Sequence, residues 1–336
     1  KGQMHRLIIL ILVVSAIWMG LWAVGSIVLD RQVTNWVETR RAEGWAADVG
    51  DIDVNGFPNR FDTTLTDVSL ADPATGVAWT APFTQFLSLA YKPHQVIAVL
   101  PPEHRFSTPL QTLTITHDQA KGSLFLEPST SLPLDRAIVV LNDLALSSTL
   151  GWDMTLSEGR FAAEKVAATA NSYRIGAELQ ALTPSVGLRN ALDPGAVLPT
   201  TIETMRLDAT LDFTAPWDRA AIETARPQVR HIDLGDLSTR WGNVNFRAAG
   251  ELSVDEAGVP TGRITVKAVE WRKLLDMAIG TGLLADTFRP ALESALELMA
   301  SLEGRPDTLD APLTFENGYV SFGPIPLGPA PRIILR

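Results

Sequence analysis

The stretch from Leu7 to Leu29 carries no charged residue and includes Ile8, Ile9, Leu10, Ile11, Leu12, Val13, Val14, Ile17, Leu21, Val24, Ile27 and Val28. At 1.5 Å of rise per residue it forms a helix about 34 Å long, matching the hydrocarbon thickness of a bilayer. It predicts a transmembrane anchor, with residues 1–29 as tail and span and a lipid bilayer as the partner of residues 7–29. The competing reading is a cleaved secretory signal, for which Ala23 and Gly25 ahead of Ser26 offer a small-residue site. The apolar run exceeds a usual signal core and continues past that site, which favours the anchor. Lys1 and Arg6 precede the run and Arg31, Arg40 and Arg41 follow it, so charge alone does not orient it. A short leading tail and a long trailing body make an anchor with its N-terminus inside the simpler topology. Ala16 and Gly20 form a small-xxx-small pair that lets a second membrane helix approach. Trp18 and Trp22 share a helix face at i, i+4, placed to pack on lipid or a neighbour.

Beyond the anchor, Val33, Trp36 and Val37 recur at helical spacing among charged residues, predicting a juxtamembrane helix over residues 30–45 that Gly44 ends. The period then changes from 3.6 to 2. Met205, Leu207, Ala209, Leu211 and Phe213 alternate with Thr204, Arg206, Asp208, Thr210 and Asp212, the pattern of a half-buried antiparallel strand. Val244, Phe246, Ala248, Gly250 and Leu252 repeat it. After turn residues, Ile264, Val266 and Ala268 return, so residues 244–270 read as a hairpin. Further strands are predicted over 61–70, 112–116, 123–126, 137–148, 152–156, 173–179 and 313–322. Apolar stripes at Trp271, Leu274, Leu275, Ala278 and Ile279, and at Phe288, Leu292, Ala295, Met299 and Leu302, predict two amphipathic helices. A weaker helix is predicted over 216–226. The fold class expected is mainly β with some α: curved antiparallel sheet covered by C-terminal helices, residues 46–336 forming one β-rich body. No composition break forces a second domain.

The formal charge is −10, and the first 29 residues hold Lys1 and Arg6 but no acid, so the body is more acidic still. Nucleic acid is therefore not an expected partner, since phosphate binding needs a basic face. The absence of Cys removes thiolate metal sites and cysteine nucleophiles. Gly280, Gly282 and Ala285 match the letters of a dinucleotide fingerprint, but an amphipathic helix precedes them where a strand is required, so they read as a break between helices. Asp51, Asp53, Asn55 and Gly56 match the opening of a calcium loop with Asp62 at the twelfth position. Its usual Glu is missing and Pro58 interrupts it, and the alternation with Ile52 and Val54 equally describes a solvated strand face. The five histidines, His5, His94, His104, His117 and His231, show no ligand spacing and read as surface or loop residues. No nucleophile elbow or phosphate loop is present. The expectation is a non-enzyme with no catalytic residue, cofactor or metal.

The run Gly56-Phe57-Pro58-Asn59-Arg60-Phe61-Asp62, then Ala71-Asp72-Pro73 and Val77-Ala78-Trp79-Thr80-Ala81-Pro82, resembles the opening of the bacterial family known as domain of unknown function 2125. Trp241-Gly242 before Ala249-Gly250-Glu251-Leu252, and the ending Phe322-Gly323-Pro324-Ile325-Pro326-Leu327-Gly328-Pro329, resemble it too. The resemblance implies a bacterial inner-membrane protein with one N-terminal helix and a β-rich periplasmic body; it transfers no catalytic residue. The segment from Leu309 to Tyr319 is similar to the strand, Asn-Gly turn, strand endings of AsmA-like envelope proteins, which implies, by analogy of fold, curved sheets with apolar grooves associated with lipid movement. The functional expectation is a membrane-anchored periplasmic binding protein carrying lipid or another apolar envelope molecule. Its groove would be lined by Met205, Leu207, Leu211, Phe213, Val244, Phe246, Leu252, Ile264 and Val266. The same residues would look identical in a filled core. The alternative function is a non-catalytic assembly or scaffold subunit of a larger membrane complex.

Overall fold

The computed structural model describes residues 2–167, 169, 171–282, 284–302 and 307–335. Lys1, Leu283 and the side chain of Leu302 lie outside the described residues. Strands hold 51% of the residues and helices 24%, so the protein is mainly β and its strands pair antiparallel. The chain divides into two compact units, Lys1–Phe125 with Leu146–Leu150, and Leu126–Ala145 with Gly151–Arg336.

The first unit opens with α1 (Gly2–Ala42), one uninterrupted helix through both the predicted span and the predicted juxtamembrane segment. It is long and apolar enough to cross a membrane. Gly44, at φ +94°, closes it by turning the chain so that the Gly44 and Trp45 amides donate back to the Arg41 and Arg40 carbonyls. Eight strands follow: β1 (Ala46–Asp48), β2 (Asp51–Asn55), β3 (Arg60–Asp72), β4 (Val77–Leu89), β5 (Lys92–Val99), β6 (Glu103–Ser107), β7 (Thr112–Thr116) and β8 (Gln119–Leu126). The long β3–β4 hairpin is their centre. β1 and β2 pair with β3, β5 and β6 pair with β4, β7 pairs with β6, and β8 pairs with β5.

The chain passes through β9 (Leu134–Ser148) into the second unit. There β10 (Asp153–Lys165), β11 (Ser172–Thr183), α2 (Val186–Leu192), β12 (Ile202–Phe213), α3 (Arg219–Glu223), β13 (Val229–Trp241), β14 (Val244–Val254) and β15 (Pro260–Val269) follow in order. Then come α4 (Trp271–Gly280), α5 (Arg289–Leu302), β16 (Thr308–Glu316), β17 (Tyr319–Phe322) and β18 (Ile325–Pro329). From β10 to β18 each strand pairs with the next in sequence, a meander whose helices are excursions between neighbouring strands. Bulges at Asp208/Ala209, Asp212/Phe213 and Leu234/Leu237 bend it. The β16–β17 turn is the Asn317-Gly318 pair at φ 53° and 77°, the backbone a two-residue hairpin requires.

The C-terminal helices cover less than the sequence suggested. Trp271, Leu275, Leu292 and Leu296 pack on Ala268, Leu309, Ala311 and Phe322, so α4 and α5 shield chiefly the β15–β17 part of the sheet. Two short helices cannot shade a meander of nine strands about 4.8 Å apart. The helix expected over 216–226 shrinks to α3, capped by the Asp218 carboxylate accepting from the Ala221 amide at 3.1 Å. The break at Gly280 and Gly282 does lie between two helices, with a 3₁₀ turn at Asp286–Phe288 leading into α5.

Candidate functional site

Side chains at paired positions of a sheet point to the same side. The register therefore decides whether the nine apolar residues picked from the sequence share a surface. Met205 pairs with Thr239 and Phe246 with both Thr239 and Ala268; Leu207 pairs with Leu237, Leu237 with Ala248, and Ala248 with Val266. Leu211 pairs with Ile232, and Ile232 with Leu252; Ile264 lies opposite Gly250 and beside Leu313. Phe213 faces Val229, and Val244 faces Trp241. All nine lie on one face of the meander.

That face is closed at both ends. At one, Tyr173, Phe213, Val229 and Val254 are buried with Leu211, Trp217, Ile333 and Leu335. The Tyr173 hydroxyl donates to the Leu134 carbonyl at 3.0 Å, and burial pushes its pKa up. At the other, Leu198, Ile202, Trp241 and Val244 are buried with Met205, Leu192, Leu274 and Met277, and the Trp241 indole donates to the Pro199 carbonyl at 2.8 Å. Between them, Ala248, Leu252 and Ile264 are buried by Ile232, Leu234, Phe246, Val266 and Phe315, which all come from strands of the same sheet. Phe213, Val244, Leu252 and Ile264 are thus buried against protein, while Met205, Leu207, Leu211, Phe246 and Val266 are half-buried.

The middle row of the face continues beyond the residues picked from the sequence. Leu207 pairs with Ala177 and Ala177 with Phe161, so Phe161, Ala177, Leu207 and Leu237 form a cross-strand apolar strip over β10–β13. Phe161 is 38% exposed and Leu237 37%. Neither belongs to an alternating run in the sequence, because each stands beyond an interruption: Glu158 and Gly159 before Phe161, Gly235 and Asp236 before Leu237. The opposite face is ionic. Arg174 donates to Asp208 at 2.8 and 2.6 Å and holds that carboxyl below its ordinary range, and Arg206 pairs with Glu178. A concavity of about 460 Å³ there takes in Arg240, Arg247 and Lys267, but Arg247 is paired with Asp236 and Lys267 with Asp310.

The calcium-like segment forms β2, with Asp51, Asp53 and Asn55 on its exposed edge face and Asn55 paired opposite Asp62 across the hairpin. Among the described residues no group of three or more His, Asp and Glu side chains is placed to hold a metal.

Two histidines depart from the surface reading. His104 in β6 and His117 after β7 are both buried, with ring centroids 5.5 Å apart, and Trp79 meets His104 edge-on. Among the described residues, Nδ1 of His104 and both ring nitrogens of His117 have no hydrogen-bond partner. Burial lowers both pKa values, and the neighbouring His117 lowers that of His104 further. Unfolded histidine titrates near 6.5, so above about that pH the pair is neutral in both states and its packing contributes fully. As pH falls below it the unfolded chain takes up protons first, and stability is lost towards the lower folded values. Denaturant midpoints measured from pH 7.5 to 5 are expected to fall below about pH 6.5, each histidine adding at most about 1.4 kcal/mol per pH unit. His117→Phe should flatten that fall; an unchanged slope would show that the loss arises elsewhere.

Residues 22–331 match the bacterial family described as uncharacterized protein conserved in bacteria, DUF2125. The chain belongs to the DUF2125 family. The match takes in the Gly56–Asp62 turn, the Trp241-Gly242 corner and nearly all of the apolar face, so these are laid out within the family's own domain. No curated protein and no solved structure matches the chain.

Proposed function

We propose that this DUF2125 protein is a membrane-tethered, non-catalytic carrier, lying on the periplasmic side of a bacterial inner membrane and holding an acyl chain or similar apolar envelope molecule along the strip at β10–β13. The observation that carries this reading is the half-exposed row Phe161, Ala177, Leu207 and Leu237, set between two closed ends of one continuous apolar face. A soluble sheet ordinarily turns such a face wholly inward or makes it polar. A membrane tether supplies acyl chains locally, which raises their effective concentration at the strip. The resemblance of the closing segment to AsmA-like endings accords with this reading as an analogy of fold.

Burying about ten methylenes contributes roughly 8 kcal/mol before ordering costs, so a bound lipid should survive purification. Mass spectrometry of lipid extracted from the detergent-purified full chain, compared with Phe161→Asp and Leu237→Asp variants, tests the proposal. The parent should retain lipid and the folded variants should lose most of it. Equal lipid in folded variants would refute the carrier. A scaffold role is the second reading, favoured by the small pair at Ala16 and Gly20, where a Cβ on Gly20 would meet nothing within 4 Å. A stoichiometric co-purifying membrane protein, lost in Gly20→Leu, would support it instead.

A further inference from the structure

The anchor helix does not stand free of the first unit. The Trp18 indole donates to the Pro58 carbonyl at 2.9 Å and the Trp22 indole to the Arg60 carbonyl at 2.8 Å. Trp22 meets Phe57 edge-on at 5.4 Å and stacks on Phe61 at 5.8 Å. A Cβ on Gly25 would lie 2.6 Å from the Phe61 ring, so glycine is what lets the helix approach there. The tip of the β2–β3 hairpin is therefore fixed against the very part of α1 that is apolar enough to enter a bilayer.

This contact cannot be kept outside the membrane by sliding the helix. A spanning helix needs about 20 residues, and any such stretch between Met4 and the charged pair Asp30-Arg31 contains both Trp18 and Trp22. We infer that the β2–β3 tip, with the neighbouring β4–β5 turn, inserts into the leaflet that the anchor leaves through, so that the body is seated in the bilayer surface as well as tethered to it. This rests on the reading of α1 as a transmembrane helix.

The chemistry of the tip suits that position. Phe57 is 50% exposed beside the helix, and Tyr91 in the adjoining turn is 60% exposed. Polar backbone is tolerated at membrane depth only where its groups are satisfied. The Gly56 carbonyl accepts from the Arg60 amide at 2.9 Å, the Asn59 carbonyl from the Ala90 amide at 2.8 Å, and the Pro58 and Arg60 carbonyls from the two indoles. Pro58 has no amide hydrogen to satisfy. Arg60 is paired with Asp62, and Lys92 has a stem long enough to carry its charge to the headgroups. Indole and phenol rings are the side chains that favour this interface.

The chain has no cysteine, so a single introduced thiol reports one position. Phe57→Cys, Tyr91→Cys, Leu12→Cys and Leu110→Cys variants of the full chain, labelled with an environment-sensitive fluorophore and reconstituted in phosphatidylcholine–phosphatidylglycerol vesicles, are exposed to lipids carrying a nitroxide on the acyl chain. Leu110 is at the opposite end of the β3–β4 hairpin, beside β6 and β7, and serves as the aqueous control. The label at 57, and that at 91, should be quenched several-fold more than that at 110, with blue-shifted emission. Quenching at 12 with 57 and 91 no stronger than 110 would overturn the insertion and leave the anchor standing. No quenching at 12 would overturn the anchor, and the insertion with it.

Discussion

Trp271→Ala is expected to lose about 3–5 kcal/mol of stability in the second unit, the range for removing a fully buried aromatic side chain whose cavity does not collapse. Trp271 is 2% exposed and sits at the first position of α4, in one buried cluster with Leu275 from its own helix, Leu292 and Leu296 from α5, and Ala268, Leu309, Ala311 and Phe322 from the sheet. No other described residue joins these three surfaces with so large a side chain that is so nearly inaccessible. Small partners such as Ala268 and Ala311 cannot grow into the space, and the helices are fixed to adjacent strands at both ends. Urea unfolding followed by far-ultraviolet dichroism should show a lower midpoint, with helical signal lost ahead of strand signal. Leu237→Ala, at a half-exposed position, should lose far less. Equal losses would show that α4 and α5 are not what holds that part of the sheet.

How much of this was legible beforehand depended on whether neighbouring residues alone set the pattern. β12 was read correctly because Met205 to Phe213 alternate without interruption, so one face is apolar whatever the partner. β13 escaped because the bulge between Leu234 and Leu237 inserts a residue and slips the period-2 phase in mid-strand. β10 was cut short at residue 156 for a related reason: its outer residues are exposed on both faces from Ser157 to Glu158, so nothing there alternates. α4 and α5 were visible as stripes, but where they land depends on the length of the β15–β16 excursion, and their cover is limited chiefly to the β15–β17 part of the sheet. The nine apolar residues were found as types. That they share one face, and that four are buried by protein while the strip through Leu207 is half-open, follows from pairings across seven strands that no local window contains. His104 and His117 were missed because their burial comes from the pairing of β6 with β7.

Gly250→Ala is expected to be comparably damaging, through the backbone alone. Gly250 and Gly262 adopt φ of +152° and +148°, which L side chains rarely take. A Cβ on Gly250 would lie 2.2 Å from the Arg263 carbonyl oxygen, and one on Gly262 2.2 Å from that of Glu251. The two glycines stand on paired strands, each against the residue that lies between its own partner and the other glycine, so β14 and β15 approach as closely as only hydrogen at Cα permits. That approach draws Ala248, Leu252 and Ile264 together into a cluster whose described packing partners all come from strands. Neither collision is with a side chain that could rotate away. Strained φ contributes about 1–3 kcal/mol and the forced strand separation a similar amount, so a loss of about 3 kcal/mol or more is expected. Gly176→Ala in β11 is the control: its Cβ would lie 3.9 Å from the nearest atom, and near-neutral stability is expected there. If the two variants unfold at the same urea concentration, the close approach of β14 and β15 is not a source of stability. If Gly250→Ala alone is destabilised but still folds at low temperature, its lipid content separates the roles of the glycines. A splayed β14–β15 pair should leave the strip at β10–β13 intact, and with it the lipid retention that the carrier proposal expects, because Phe161, Ala177 and Leu207 are held by pairings in which neither glycine takes part.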